Sequence, residues 1–130
     1  MPALTLSTRA GVDTSTAMHA FNITGLQAAV DVNPCIALQI NATTGRLEPL
    51  AAGFYVGIAA QKGYAASGLT AYGPGVRFHA RDEADLIPGA AYFIGVATGT
   101  IDTIATAKDS QGAFLAVTTR DLMTRVWRVL

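Results

Sequence analysis

Residues 31–50 read DVNPCIALQINATTGRLEPL, and 54 positions further on residues 85–104 read DLIPGAAYFIGVATGTIDTI. Asp31/Asp85, Pro34/Pro88, Ala37/Ala91, Ile40/Ile94, Thr44/Thr98 and Gly45/Gly99 are identical, while Leu47/Ile101, Glu48/Asp102 and Leu50/Ile104 keep their chemistry. Each copy has a proline that opens a strand, a Thr-Gly that turns it, and apolar residues on the way back. In the first copy Ile36, Leu38 and Ile40 alternate with Ala37, Gln39 and Asn41, the period of two that sends neighbouring side chains to opposite faces of a sheet. Gly45 is free to take the positive φ of a hairpin turn. The repeat therefore copies a building unit, two strand-turn-strand ribs of one barrel, and not a catalytic motif.

Working outward, the same period recurs. Phe54, Val56 and Ile58 alternate with Tyr55, Gly57 and Ala59; a strand over residues 69–72 ends at Gly73-Pro74-Gly75, the strongest breaker in the chain. Val76, Phe78 and Ala80 alternate with Arg77, His79 and Arg81, a strand with an apolar inside and a polar outside. Tyr92, Ile94 and Val96 share a face, as do Leu115 and Val117, and residues 123–130 read as a last strand. Short strands separated by Gly, Pro and Thr-Gly turns, with no long 3.6-residue period, predict an all-β, single-domain barrel or sandwich.

The first residues differ from the rest. Before Asp31 the only charged residues are Arg9 and Asp13, and Thr, Ser and Ala dominate. Residues 1–20 are read as an extended arm, ordered on binding, that could add a strand to another sheet through Leu4, Thr5, Leu6, Ser7, Thr8 and Arg9. Residues 21–130 are the body. The competing reading makes residues 4–8 the first strand of the barrel itself.

Nine basic and nine acidic residues cancel, so no net field recruits nucleic acid or an acidic membrane. Only 14% of residues are charged, against roughly a quarter in ordinary soluble domains, which points to surface covered by further copies or a partner. A single cysteine, Cys35, allows no internal disulfide and no CxxC metal site. No basic flank with an apolar run marks a secretory leader, and no run reaches the length of a membrane helix. The densest polar cluster is His79-Ala80-Arg81-Asp82-Glu83-Ala84-Asp85. A hydrolase or metal enzyme would use His79 with Asp82 or Glu83, or pair His79 with Cys35, but neither spacing matches a known signature. The expectation is no enzyme, no catalytic residue, no metal and no cofactor.

The run Asn33-Pro34-Cys35-Ile36-Ala37-Leu38-Gln39-Ile40-Asn41-Ala42-Thr43-Thr44-Gly45-Arg46-Leu47, followed by Gly53-Phe54-Tyr55-Val56-Gly57-Ile58-Ala59-Ala60, resembles the central part of the lambda-type phage head decoration proteins. The likeness continues through Leu69-Thr70-Ala71-Tyr72 and Gly75-Val76-Arg77-Phe78, covering about half the chain; Gly95-Val96-Ala97 is similar to strands of the wider capsid cement group. The second repeat and residues 123–130 extend past the usual compact end of the lambda-type pattern. The resemblance implies a β-tulip-like body, a homotrimer, and a structural role on the outside of the phage head after assembly in the host cytoplasm. There it would clamp the major capsid protein and stabilise the shell, with the N-terminal arm reaching a capsid subunit. The competing expectation is an adhesion or carbohydrate-binding module of a phage tail or spike, with Tyr64 and Tyr72 lining a groove.

Overall fold

The computed structural model describes residues 4–7, 9–19, 22–51, 53–95, 97–98, 100–109 and 111–125. Among these the fold is all-β, with two antiparallel sheets and one short 3-10 segment, Thr14–His19. The first sheet holds β2 (Asn22–Gln27), β3 (Ala37–Ile40), β4 (Leu47–Pro49), β5 (Gly57–Ala59) and β6 (Gly68–Tyr72), in the spatial order β2-β6-β5-β3-β4. The second holds β7 (Arg77–His79), β8 (Ala91–Ile94), β9 (Ile101–Asp102), β10 (Phe114–Ala116) and β11 (Asp121–Thr124), in the order β7-β11-β10-β8-β9. A two-residue strand, β1 (Gly11–Val12), joins its outer edge at β7.

Numbering the strands of each sheet one to five in chain order gives 1-5-4-2-3 twice, so the duplication extends from the quoted rib to a whole five-stranded unit. The ribs are hairpins in identical register: Gln39 faces Glu48 and Ile40 faces Leu47, as Phe93 faces Asp102 and Ile94 faces Ile101. The hydrogen bonds agree. Asn41 N donates to Arg46 O and Gly95 N to Thr100 O; Cys35 N donates to Ala59 O and Gly89 N to Ala116 O, all at 2.8–3.0 Å. The prolines share a reason too. Pro34 and Pro88 each precede a residue of positive φ, Cys35 at 64° and Gly89 at 86°, as a proline-led turn into a strand demands. The two ribs thus stand in two different sheets rather than side by side in one barrel wall.

The faces are layered. Leu38, Leu47, Ala59, Leu69 and Ala71 fill a core inside the first unit with Ala28 and Val32. Its other face, through Cys35, Ala37 and Ile58, packs on Phe78, Tyr92, Ile94, Phe114, Ala116 and Leu122 of the second. This layering overturns the simple alternation read from sequence. Ala37 and Leu38 are both buried, one on each side, and Ile40 is exposed. Phe54 is likewise outside, 71% exposed, and Tyr55 turns inward instead. Leu115 and Val117 share a face as expected, but Phe114 and Ala116 are the buried pair. Val76, Phe78 and Ala80 are all fully buried, as their alternation required. Val96, Gly99 and residues 126–130 lie outside the described residues.

The first sheet curls until its ends meet. Ala28, just past β2, bridges Leu47 of β4, and Ala29 N donates to Leu47 O at 2.7 Å. Close approach at the centre of this sheet depends on Gly57, whose φ is 142°. A Cβ there would sit 2.6 Å from the Tyr72 carbonyl oxygen, a backbone atom of the neighbouring strand. Gly57→Ala is expected to cost about 2 kcal/mol from strain and clash, read as a lower urea midpoint; an unchanged midpoint would refute the packing described.

Candidate functional site

The described residues of the expected arm, 4–7 and 9–19, lie along the second unit; residues 1–3, 8 and 20 are outside the described residues. Leu4 N donates to Ile101 O at 2.8 Å and Ser7 N to Ala80 O at 2.7 Å, while β1 pairs Gly11 with His79 and Val12 with Phe78. Leu4, Leu6, Ala10 and Val12 pack against the core between the sheets. Thr5 and Arg9 face outward and are exposed; Thr8 lies outside the described residues. The segment therefore acts as a strap, and the alternation of Leu4 and Leu6 with Thr5 and Ser7 is what gives it an inner and an outer side. Beneath it runs a cavity of about 500 Å³ lined by Leu4, Leu6, Pro34, Ile36, Thr100 and Ile101 among others.

Asp82 holds the strap at its polar end. Its Oδ1 accepts from Ser7 Oγ at 2.6 Å, with Arg9 Nη2 3.9 Å and His79 Nε2 4.0 Å away. Arg81 donates to Thr5 O and forms a two-pronged pair with Asp85 through Nε at 3.0 Å and Nη2 at 2.6 Å. That guanidinium hydrogen bond holds the Asp85 carboxyl below the usual carboxylate range. His79 Nδ1 lies 3.2 Å from Asp121 Oδ1, and Asp121 Oδ2 accepts from Arg77 at 3.0 and 2.7 Å.

The sequence cluster at residues 79–85 thus clasps the strap. Ser7, named above as an arm residue, and Asp121, which the sequence did not single out, are its partners from distant parts of the chain; neither pairing was legible in the sequence. Asp82 stands between the Ser7 hydroxyl and the His79 ring, so the hydroxyl donates to a carboxylate and not to an imidazole that could deprotonate it. Among the described residues no group of three or more His, Cys, Asp or Glu side chains is placed to hold a metal ion.

No family model, curated protein or solved structure matches this chain.

Cys35 is fully buried in the core between the sheets, and burial pushes its thiol up to about 12. It is expected to resist a thiol reagent in the native protein and to react completely after denaturation; rapid native labelling would contradict its placement. A thiol that ionises near 9.0 when unfolded and only near 12 when folded leaves stability intact below pH 9 and erodes it from there towards pH 12. Denaturation midpoints should fall as pH rises above 9, the contribution of this group approaching about 1.4 kcal/mol per pH unit between roughly pH 10 and 11, and the Cys35→Ala variant should show a shallower decline.

The tyrosines of the carbohydrate reading are placed differently from one another. Tyr64 is exposed, with Lys62 Nζ 5.8 Å from its ring centroid, whereas Tyr72 packs against the core between the sheets. Ile40 and Phe54, both exposed, line a cavity of about 520 Å³ beside β3 and β4 together with the partly buried Val56.

Proposed function

We propose that the protein is a structural capsid decoration (cement) protein of a phage, a homotrimer that binds the outside of the icosahedral head and stabilises it against internal pressure. The observation that carries this reading is the strap: an N-terminal segment held to a rigid β-body by backbone hydrogen bonds, with Thr5 and Arg9 on its outer side. Extended segments of this kind add strands to partner sheets using main-chain bonds, which suits contact with a capsid protein. Two layers of core, one inside the first unit and one between the sheets, supply a stiff body. A low charge and exposed Phe54, Ile87 and Ile104 leave apolar surface for neighbouring chains. Each contact can be weak, because a trimer engaging several capsid subunits multiplies them through effective concentration.

The test pairs mass with binding. Light scattering should give three chains per particle, and the protein should co-sediment saturably with expanded heads of its phage but not with unexpanded ones. Thr5→Glu with Arg9→Glu should weaken that binding at least about tenfold with the mass unchanged. A monomer that leaves expanded heads bare would sink the reading.

A further inference from the structure

The two units are closed in the same place by different pieces of chain. In the first, Ala29 donates to the carbonyl of Leu47. In the second, the equivalent carbonyl, Ile101, 54 residues on, accepts from Leu4. The first unit is closed by the direct continuation of its own first strand, β2; the second is closed by a segment from the far end of the chain. We propose that this slot is a strand-acceptor site for the strap of a second copy, so that in the assembled protein each strap closes its neighbour's second unit.

The energetics favour exchange over release. Leu4, Leu6, Ala10 and Val12 are partly buried against the core, and exposing even the two leucines forfeits apolar burial worth about 25 cal/mol for each Å² uncovered. A strap freed from its own chain leaves that core open unless an identical strap refills it. Exchange between copies keeps every contact, from Leu4 N to Ile101 O through Ser7 Oγ to Asp82, and adds a link between chains, the low-cost route to an oligomer. The backbone bonds of Leu4 and Ser7 and the pairing of β1 all go to the second unit, so the strap can move as one piece. Ile87 and Ile104, exposed on that same unit, are available to the neighbour that donates it.

This inference rests on the self-assembly part of the proposed function, and the experiment separates the two. In the full chain, Ser7→Cys and Asp82→Cys place thiols where a 2.6 Å hydrogen bond now stands, and buried Cys35 does not compete. The protein is oxidised or bridged with a short bismaleimide, its mass is measured by light scattering, and the chains are then separated under denaturing, non-reducing conditions. Covalently joined chains from an oligomer are the expected result. An oligomer by scattering that separates entirely into internally bridged single chains overturns strap exchange and leaves self-assembly standing; a monomer by scattering overturns both. Should the double cysteine variant fail to fold, Leu4→Asp with Leu6→Asp provides a second reading. Under exchange it lowers the oligomer mass to that of single chains at micromolar concentration, and an unchanged mass overturns the proposal.

Discussion

Replacing Phe114 with alanine is expected to destabilise the protein by about 4 kcal/mol, the upper part of the range for a fully buried phenylalanine. Its ring is 0% exposed and lies edge-on to two others, Phe78 at 5.8 Å and 80°, and Tyr55 at 6.3 Å and 77°. Phe78 belongs to the second unit and Tyr55 precedes β5 of the first, so Phe114 joins the units across their shared core. Truncation opens a cavity at that junction and removes two aromatic contacts worth about 0.5–1.5 kcal/mol each. A domain of this size has roughly 5–15 kcal/mol in total, so the loss should move the urea midpoint far and bring cooperative unfolding close to ambient temperature. Phe114→Leu should cost less than half as much. A Phe114→Ala loss under about 1.5 kcal/mol would mean that the units do not share a core there.

Asp109→Ala is expected to lose about 3 kcal/mol or more, because the carboxylate gathers several backbone donors. The side chain is only 2% exposed. Its Oδ2 accepts from Ile94 N at 2.9 Å and Ala113 N at 2.8 Å, and its Oδ1 from Gly112 N at 2.8 Å and Gln111 N at 3.1 Å. One carboxylate thereby ties the loop after β9 to the end of β8 and to the start of β10. Alanine strands three buried N–H donors at once, and each unsatisfied buried group costs about 1–3 kcal/mol. Asp109→Asn tests the cause, because it keeps the shape but turns one acceptor into a donor facing backbone N–H groups; it should recover little. Calorimetry on the three proteins decides between them: a fall of about 10 °C or more for both variants fits, and full recovery by asparagine does not.

The sequence disclosed the rib but not the unit around it. Pro34/Pro88 and Leu47/Ile101 kept the 54-residue spacing because they sit inside one hairpin with a turn of constant length. Beyond it the equivalent pairs drift: Ala59 matches Ala116 and Ala71 matches Leu122, since the loops between strands differ in length. Face assignments succeeded at Val76, Phe78 and Ala80, where one side of the strand meets the core and the other meets solvent. Leu38 is inside as expected, but the assignments failed at Ala37, expected outward and buried against the second core, and at Ile40, expected inward and exposed, because the first sheet carries a core on both sides and alternation alone does not say that its second face is covered too. In the strap, the alternation of Leu4 and Leu6 was visible, but its destination was not. The acceptors, Ala80 and Ile101, offer backbone atoms, which leave no trace in residue type.

The cement reading is tested most directly by reconstructing expanded heads of the cognate phage, stripped of this protein and then saturated with it. Added density is expected outside the shell at three-fold and quasi-three-fold positions, three copies of the two-unit body at each, with Thr5 and Arg9 of the strap at the capsid contact. Saturating protein that leaves the shell without added density, or that adds it only to the tail, would contradict it.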